Sequence, residues 1–587
     1  MRTTSTAGES LAQVVLLART FFARFFESDL MPPGLPQVQL VIWSVALLAA
    51  PGLYFPVSFA LDYTKAVAAH VPLAAAFLAH RQIFITISMT AIGIVALVVW
   101  DGMFPDRRDA RILSALPVPG SILIGGRLVA LTALCAIFLV GVNAIPSIVY
   151  GASYGAFGGA ASVVHGIAAH FVSTMLAGVF VFGSLMALQG IALNVGGRAA
   201  ADRVSLLLQI VFVILLLQLA FFFPRIAGML SDFHDAGWLR LVPSIWFLGL
   251  YDVVGGRPAP GAAPLAVAAL VATVVVVTVA AAVFVTTHAR LTRRALEGGE
   301  RRGRSHALAQ AFAPIARTVR ARPVSMATFA FTVRTLARTR NHRLLMAMYV
   351  GVGLAFIASA IVPLLLRAGG AGFFEPSIEL LSAPFFLSFF TLLGLRVGFA
   401  IPVEPKARWV LRLCEPSGRA DAIGGVRAVM LLVGVLPSVI VAALTAGVLW
   451  STRAAVIHVI VCGAMGALLS ELLLVRLCKL PFACTYYPGT SKIGTLWPLY
   501  ISGFGNYTLT TAAFEWSLIS RFRPMMLLTF VTIVALIIAA LALRRRRHLG
   551  SVAGFRFEEE DPDAIFAGFA LSEGLAAAPM RRLGRDH

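Results

Sequence analysis

The chain has 587 residues, of which 59% are hydrophobic and 13% charged, and its mean hydropathy of +0.88 excludes an ordinary soluble protein. Repeated apolar runs of about 20 residues predict an all-α polytopic membrane protein, because each run can cross a bilayer as one helix. The runs are continuous rather than alternating, which excludes a transmembrane β-barrel.

The first half of the chain begins with an interfacial helix near residues 10–30, where Arg19 and Arg24 interrupt a series of leucines and phenylalanines. Six predicted spans follow, at about Leu40–Leu61, Gln82–Trp100, Leu128–Tyr150, His165–Leu193, Val204–Phe223 and Pro264–Thr287. Between the fifth and sixth lies a long connection, Arg225–Arg257, whose aromatic residues predict short helices at the outer interface.

The second half contains six more predicted spans, at about Leu344–Leu366, Ile378–Ala400, Ala428–Trp450, Ala454–Leu474, Ile493–Thr511 and Pro524–Leu543. Gly503, Gly505 and Asn506 make the span Ile493–Thr511 polar and easy to break. Phe514–Arg523 is then the shorter counterpart of the outer connection in the first half. The chain therefore has about 12 transmembrane helices.

Lysine and arginine are unevenly distributed between the two sides. With the N-terminus in the cytoplasm, 38 of the 48 lie in predicted cytoplasmic segments and 9 lie on the outer side, while Arg396 lies within a span. This asymmetry predicts that both termini are cytoplasmic. It also accounts for the net charge of +21, so no nucleic-acid partner is expected.

Two charged segments lie at corresponding places in the halves: Trp100–Arg127, the first charged segment, and Ile401–Arg427, the second. The first contains a mixed-charge cluster followed by an apolar stripe at helical spacing, which predicts a short amphipathic helix at the membrane face. The cluster consists of Asp106, Arg107, Arg108, Asp109 and Arg111. Such a helix is either a solvated loop that obeys the positive-inside rule or, as its mixed charge favours, a docking helix for a soluble partner.

The two charged segments are also similar residue by residue. Without gaps, Pro105, Ala110, Arg111, Leu116 and Pro119 match Pro402, Ala407, Arg408, Leu413 and Pro416. After a small gap, Gly125-Gly126 and Arg127 match Gly424-Gly425 and Arg427. Together with the matching pairs Arg19-Thr20 and Arg334-Thr335, this predicts two pseudo-repeated six-helix halves in parallel orientation. The predicted divisions are 1–288, a basic linker 289–325, 326–545 and a cytoplasmic tail 546–587.

No phosphate-binding loop, dinucleotide fingerprint or zinc spacing occurs in the sequence. We therefore expect no directly bound cofactor or metal and no catalytic residues. Polar groups inside spans are the usual functional candidates in membranes, and here they are Asn143, His170, Gln189, Gln209, Gln218, Arg396, His458 and Glu471. Arg396 and Glu471 lie toward the cytoplasmic ends of their spans, where they either pair or extend separately to the interface. A secondary transporter or a membrane-embedded lipid-modifying enzyme remain the alternatives.

The string WDGMFPDRRDARILSALPV and the order of elements in each half resemble the membrane subunit of ABC exporters of the ABC-2 type, here with two halves fused. The resemblance implies an exporter permease in the bacterial inner membrane, surrounded by lipid, with an unidentified substrate. It also implies two separate cytoplasmic ATPase subunits, which bind the ATP and dock on Phe104–Leu116 and Ile401–Leu413. The implied coupling residues are Phe104, Pro105, Asp106, Arg107, Arg108, Asp109, Arg111, Glu404, Lys406, Arg408 and Arg412.

Replacing Arg107, Arg108 and Arg111 together by alanine tests the docking interpretation. We expect ATP hydrolysis by the complex to continue while export is lost, because the helix no longer carries the load from the ATPase. Export of fluorescent hydrophobic dyes from cells and ATP hydrolysis by the purified complex would be measured. A triple variant that exports normally contradicts the assignment.

Overall fold

The described chain is built almost entirely from helices. The structure is a computed structural model that describes residues 7–26, 37–68, 70, 73–105, 112, 118–195, 207–218, 241–296, 323–368, 374–401, 403, 419–475, 477, 480–482, 502–521 and 523–551. Among these residues there is no strand, and ten helices are long and apolar enough to cross a membrane. The prediction of an all-α polytopic membrane protein is therefore confirmed.

The described residues of the first half form nine helices, in the order α1 (Ala7–Phe26), α2 (Gln37–Ala68), α3 (Ala74–Val98), α4 (Trp100–Met103), α5 (Gly120–Ala156), α6 (Val163–Val195), α7 (Leu207–Gln218), α8 (Pro243–Val254) and α9 (Ala262–Leu296). Those of the second half form α10 (Pro323–Arg338), α11 (Arg340–Ala368), α12 (Ile378–Gly398), α13 (Arg419–Val429), α14 (Leu436–Leu449), α15 (Thr452–Leu474), α16 (Thr511–Ser520) and α17 (Pro524–Ser551). Two π-helical segments, Met430–Val435 and Asn506–Thr510, join α13 to α14 and lead into α16.

Helix ends that adjoin the charged segments are called the cytoplasmic side here, following the predicted orientation, and the opposite ends the outer side. Ten of the twelve predicted spans correspond to long apolar helices. The fifth is described only as the short helix α7. The eleventh lies partly outside the described residues, and its helix continues beyond the predicted end to Ser520. The predicted outer connection Phe514–Arg523 begins within this short helix, α16, and the glycine and asparagine residues before it are accommodated in helical and π-helical turns.

The two halves pack their helices by the same plan. The interfacial helix α1 packs on α5 in the first half, and α10 packs on α13 in the second. The short outer helix α8 packs against α3 and α6, and α16 packs in the same way against α12 and α15. The last helices, α9 and α17, pack on α6 and α15 respectively. The domain divisions stay a prediction, although α9 and α17 run past residues 288 and 545.

Helix α7 lies where the two halves meet. On one side, Thr90 of α3 donates a hydrogen bond to the Leu216 carbonyl, and Gln209 donates to the carbonyl of Leu97. On the other side, Leu217 approaches Gly351 of α11 so closely that a Cβ there would lie 3.1 Å from its Cδ1. This short helix therefore joins α3 of the first half to α11 of the second.

Glycine allows each interfacial helix to lie directly on the span that follows a charged segment. A Cβ at Gly126 would lie 2.8 Å from the Leu17 Cβ of α1. One at Gly425 would lie 2.3 Å from the Ser325 carbonyl oxygen of α10. Both glycines belong to the glycine pairs that match in sequence, so the matched residues make the same close helix contact in each half.

Replacing Gly425 by alanine tests this contact, with Gly424→Ala as the matched control. Both changes raise helix propensity, yet the added methyl meets backbone at position 425 and only the Ser325 hydroxyl, at 3.3 Å, at position 424. We expect Gly425→Ala to lower the free energy of unfolding by about 2 kcal/mol and Gly424→Ala to leave it equal or higher. Thermal unfolding in detergent would be followed by tryptophan fluorescence. Equal melting of the two variants contradicts the close contact.

Candidate functional site

The first charged segment leaves α3 through a turn that is held firmly inside the protein. Arg127, the first residue after the glycine pair, donates to the Gly102 carbonyl from Nε at 3.1 Å and from Nη2 at 2.9 Å. Its guanidinium carbon lies 5.1 Å from the centre of the Phe21 ring of α1. The amide of Gln189 donates to the Trp100 carbonyl at 2.6 Å. The turn α4 is therefore joined to α1, α5 and α6 at once.

Two predicted docking residues, Phe104 and Pro105, are buried in this anchor rather than presented to a partner. The Phe104 ring lies 5.5 Å from that of Phe284 on α9, and a Cβ at Gly190 would lie 3.0 Å from its Cζ. The remaining predicted residues of the first segment, Asp106, Arg107, Arg108, Asp109 and Arg111, lie outside the described residues. Phe104 and Pro105 thus connect the segment to the membrane helices.

The last turn of α13 in the second half is held by an ionic cluster around a buried carboxylate. Glu471 of α15 is fully buried, and its two carboxylate oxygens accept hydrogen bonds from Arg427 of α13 and Arg545 of α17. Arg396, the proposed partner of Glu471, donates from Nε to the Leu473 carbonyl at 3.1 Å. Glu471 is therefore a structural junction among three helices. The predicted docking residues Glu404, Lys406, Arg408 and Arg412 lie outside the described residues.

The two matching arginines thus connect to different helices. Arg127 links α5 to the turn that begins the first charged segment. Arg427 links α13 to α15 and, through Glu471, to α17. A displacement of the charged segment would reach α3 and α5 in the first half, but α15 and the last span in the second.

A second group of polar residues lies on the outer side of the first half. Arg81 of α3 forms a buried ion pair with Asp252 of the short helix α8, and its Nη1 also donates to the Tyr154 hydroxyl at 3.0 Å. Its guanidinium lies over the rings of Tyr154 and Tyr251, 5.1 and 5.6 Å from their centres. The arginine therefore ties α8 to α3 and to the outer end of α5.

Aromatic and imidazole rings extend this cluster inward. Nδ1 of His170 on α6 lies 3.2 Å from the Tyr251 hydroxyl, and the Tyr63 hydroxyl donates to that of Tyr150 at 3.5 Å. The Tyr63 hydroxyl also hydrogen-bonds to His80, whose ring stacks on Phe59. Such a network satisfies most polar groups within the span region, where no water substitutes for a missing partner.

The second half has a simpler cluster at the corresponding place. His458 of α15 and Glu515 of α16 are both fully buried, with Nδ1 2.6 Å from Oε1. Below them, the Tyr507 hydroxyl of the second π segment lies 2.7 Å from the hydroxyl of Ser388. The other polar atoms of the pair, Nε2 of His458 and Oε2 of Glu515, are buried without a hydrogen-bond partner.

Sequence reasoning missed three of these charged residues because it placed them in outer loops. Arg81 preceded the predicted second span, while Asp252 and Glu515 lay in the predicted outer connections. The histidines themselves were among the polar candidates predicted within spans, and His170 and His458 each precede a glycine, Gly178 and Gly466, by the same spacing. Each predicted outer connection also carries a carboxylate among aromatic residues, and this signal could have indicated Asp252 and Glu515.

In the described part of the chain, no group of three His, Cys, Asp or Glu side chains could hold a metal ion. Comparisons with models of protein families, with characterised proteins and with solved structures give no match. Function is therefore inferred from the residues of the chain itself.

The Arg81–Asp252 pair can be tested by single and double replacement. Asp252→Leu leaves a buried guanidinium without its counter-ion, and we expect it to lower the free energy of unfolding by about 3–5 kcal/mol. Arg81→Met with Asp252→Leu removes both charges and should recover most of that loss. Thermal unfolding of the purified proteins would be measured. A double variant no more stable than the single one contradicts the pairing as the source of stability.

Proposed function

We propose that this integral membrane protein is the membrane-spanning subunit of an ATP-driven exporter of the ABC-2 type. The observation that carries the proposal is the anchored turn Trp100–Pro105. Its backbone carbonyls accept hydrogen bonds from α5 and α6, and Phe104 inserts against α9. A cytoplasmic segment joined so firmly to several spans can transmit a displacement to them. A loop that was only solvated would not need such contacts.

In this proposal, two cytoplasmic ATPase subunits dock on the charged parts of the two segments, and their ATP-driven closure moves the segments. The first segment passes the motion to α3, α5 and α1 through Arg127, while the second passes it to α13 and then to the Glu471 junction. The two halves then shift against each other along α7 and α11. Substrate from the cytoplasm or inner leaflet is released on the outer side.

Supply of ATP hydrolysis by a partner chain agrees with the sequence, which contains no phosphate-binding loop. The excess of lysine and arginine on the charged-segment side supports cytoplasmic termini. Placement in a bacterial inner membrane rests on the resemblance to bacterial ABC-2 permeases. The basic ends of the spans would also contact anionic lipid headgroups on the cytoplasmic side.

A secondary transporter is the second candidate, and one observation favours it. Glu515 is a fully buried carboxylate paired with a histidine, which is the type of group that carries coupled protons in ion-driven carriers. Such a carrier would move its substrate in response to an ion gradient, without ATP or a second protein.

Co-purification separates these candidates. The tagged chain would be expressed with an ABC ATPase encoded in the neighbouring reading frame, purified in lipid and assayed for ATP hydrolysis. We expect a stable complex with two ATPases for each chain, whose hydrolysis disappears when the phosphate-binding lysine of the ATPase is replaced. Absence of any captured ATPase, even after mild crosslinking, contradicts the exporter. Dye movement driven by a pH gradient alone would then support the carrier.

A further inference from the structure

The His458–Glu515 pair of the second half has features that a purely structural contact does not need. Both side chains have no exposed surface, and they come from different helices, α15 and α16. Nδ1 and Oε1 are within hydrogen-bonding distance, at 2.6 Å. Each residue keeps a second polar atom, Nε2 or Oε2, that is buried without a partner. Burying polar atoms without partners costs free energy, so this pair stabilises the contact between the two helices less than an apolar contact of the same size would.

The described neighbours of the pair are mostly apolar and aromatic side chains. Among the described residues, the Cys462 thiol, one turn further along α15, faces Glu515, and the Tyr507 phenol lies near that thiol. From α12 it is faced by Phe385, whose ring lies 6.3 Å from that of His458, and from the end of α14 by Trp450 at 5.9 Å. Glu515 has one ion-pair partner within the described residues, and that partner is His458.

The corresponding histidine of the first half has a different partner. His170 lies at the corresponding place on α6, but it contacts the hydroxyl of Tyr251. The neighbouring carboxylate, Asp252, is paired with Arg81, whose guanidinium stays positively charged at any physiological pH. The carboxylate of the first cluster therefore has a permanently charged counter-ion. In the second cluster the cation is replaced by an imidazole, so the number of bound protons sets the charge.

We propose that His458 and Glu515 form a proton-binding site on the outer side of the second half. A proton from water on that side binds to the carboxylate or the imidazole, and it leaves by the same route. No bond other than the one to hydrogen forms or breaks, and no electron is transferred. Binding changes the charge of the pair by one unit inside an apolar cluster, where Coulomb energies are larger than in water. The site does not depend on whether an ATPase or an ion gradient drives the protein.

A proton fits this site better than a metal ion or an organic ligand. The pair offers two ligating side chains, and no third His, Cys, Asp or Glu completes a metal set among the described residues. The buried atoms leave no surface on which a molecule could rest. A proton needs neither a coordination shell nor a cavity.

Infrared spectroscopy tests the proposal on the full-length chain in lipid nanodiscs. Stepwise change of pH in wild type should produce a protonated-carboxyl band that shifts in heavy water. We expect Glu515→Gln to remove this band completely. Glu379→Gln, which removes an exposed carboxylate at the outer end of α12, should leave it in place.

His458→Gln provides the second arm, and it keeps the test decisive if Glu515→Gln does not fold. The band of Glu515 should remain but change its frequency and its titration midpoint, because the imidazole partner is gone. Circular dichroism and size-exclusion chromatography would establish that each variant is folded. A folded Glu515→Gln that keeps every titrating band overturns the proposal. So does a His458→Gln variant whose band and midpoint equal those of wild type.

Discussion

A bilayer offers no water to hydrogen-bond the polar groups of the chain, so a polar side chain in a span is stabilised by a partner on its own helix or on another. This constraint organises both halves. Arg81 bonds to the outer helix α8, Gln189 to the turn after α3, and Glu471 to arginines on α13 and α17. The apolar surfaces alone would permit many packings of the helices, since lipid is as apolar as leucine. The polar contacts select one.

Corresponding helices of the two halves make the same contacts, but the chemistry at those contacts has diverged. The glycine pairs are alike, and each receives an interfacial helix. The arginines that follow them bind a backbone carbonyl in one half and a carboxylate in the other. Close backbone packing tolerates few residues, whereas a buried charge can be satisfied in several ways. Because the two halves are fused in one chain, the partner of each buried charge can differ between them.

The sequence predicts this fold well wherever one apolar run makes one helix. His165–Leu193 and Ile378–Ala400 lie within two residues of the observed ends of α6 and α12. The sequence is less informative where a helix is not uniformly apolar: the eleventh span was predicted to end at Thr511, so Glu515 fell in the outer connection and its pairing with His458 was not foreseen. Prediction also failed for the partners of Glu471, which are 44 and 74 residues away, because periodicity reports a residue's surroundings along its own helix only. The roles of the charged docking residues in the two segments remain predictions, since Asp106–Arg111 and Glu404–Arg412 lie outside the described chain.

The π segment Asn506–Thr510 has a consequence for how Glu515 is aimed. A π turn contains one residue more than an α turn, so its conversion to α-helix would rotate everything beyond it by about 100°. Glu515 lies one to two turns beyond this segment, and the same rotation would carry it from the face of His458 to a neighbouring face of the helix. The direction in which the Glu515 carboxylate points is therefore set by the helical geometry of the segment that precedes it. Local rewinding of five residues would engage or withdraw it without moving the helix axis.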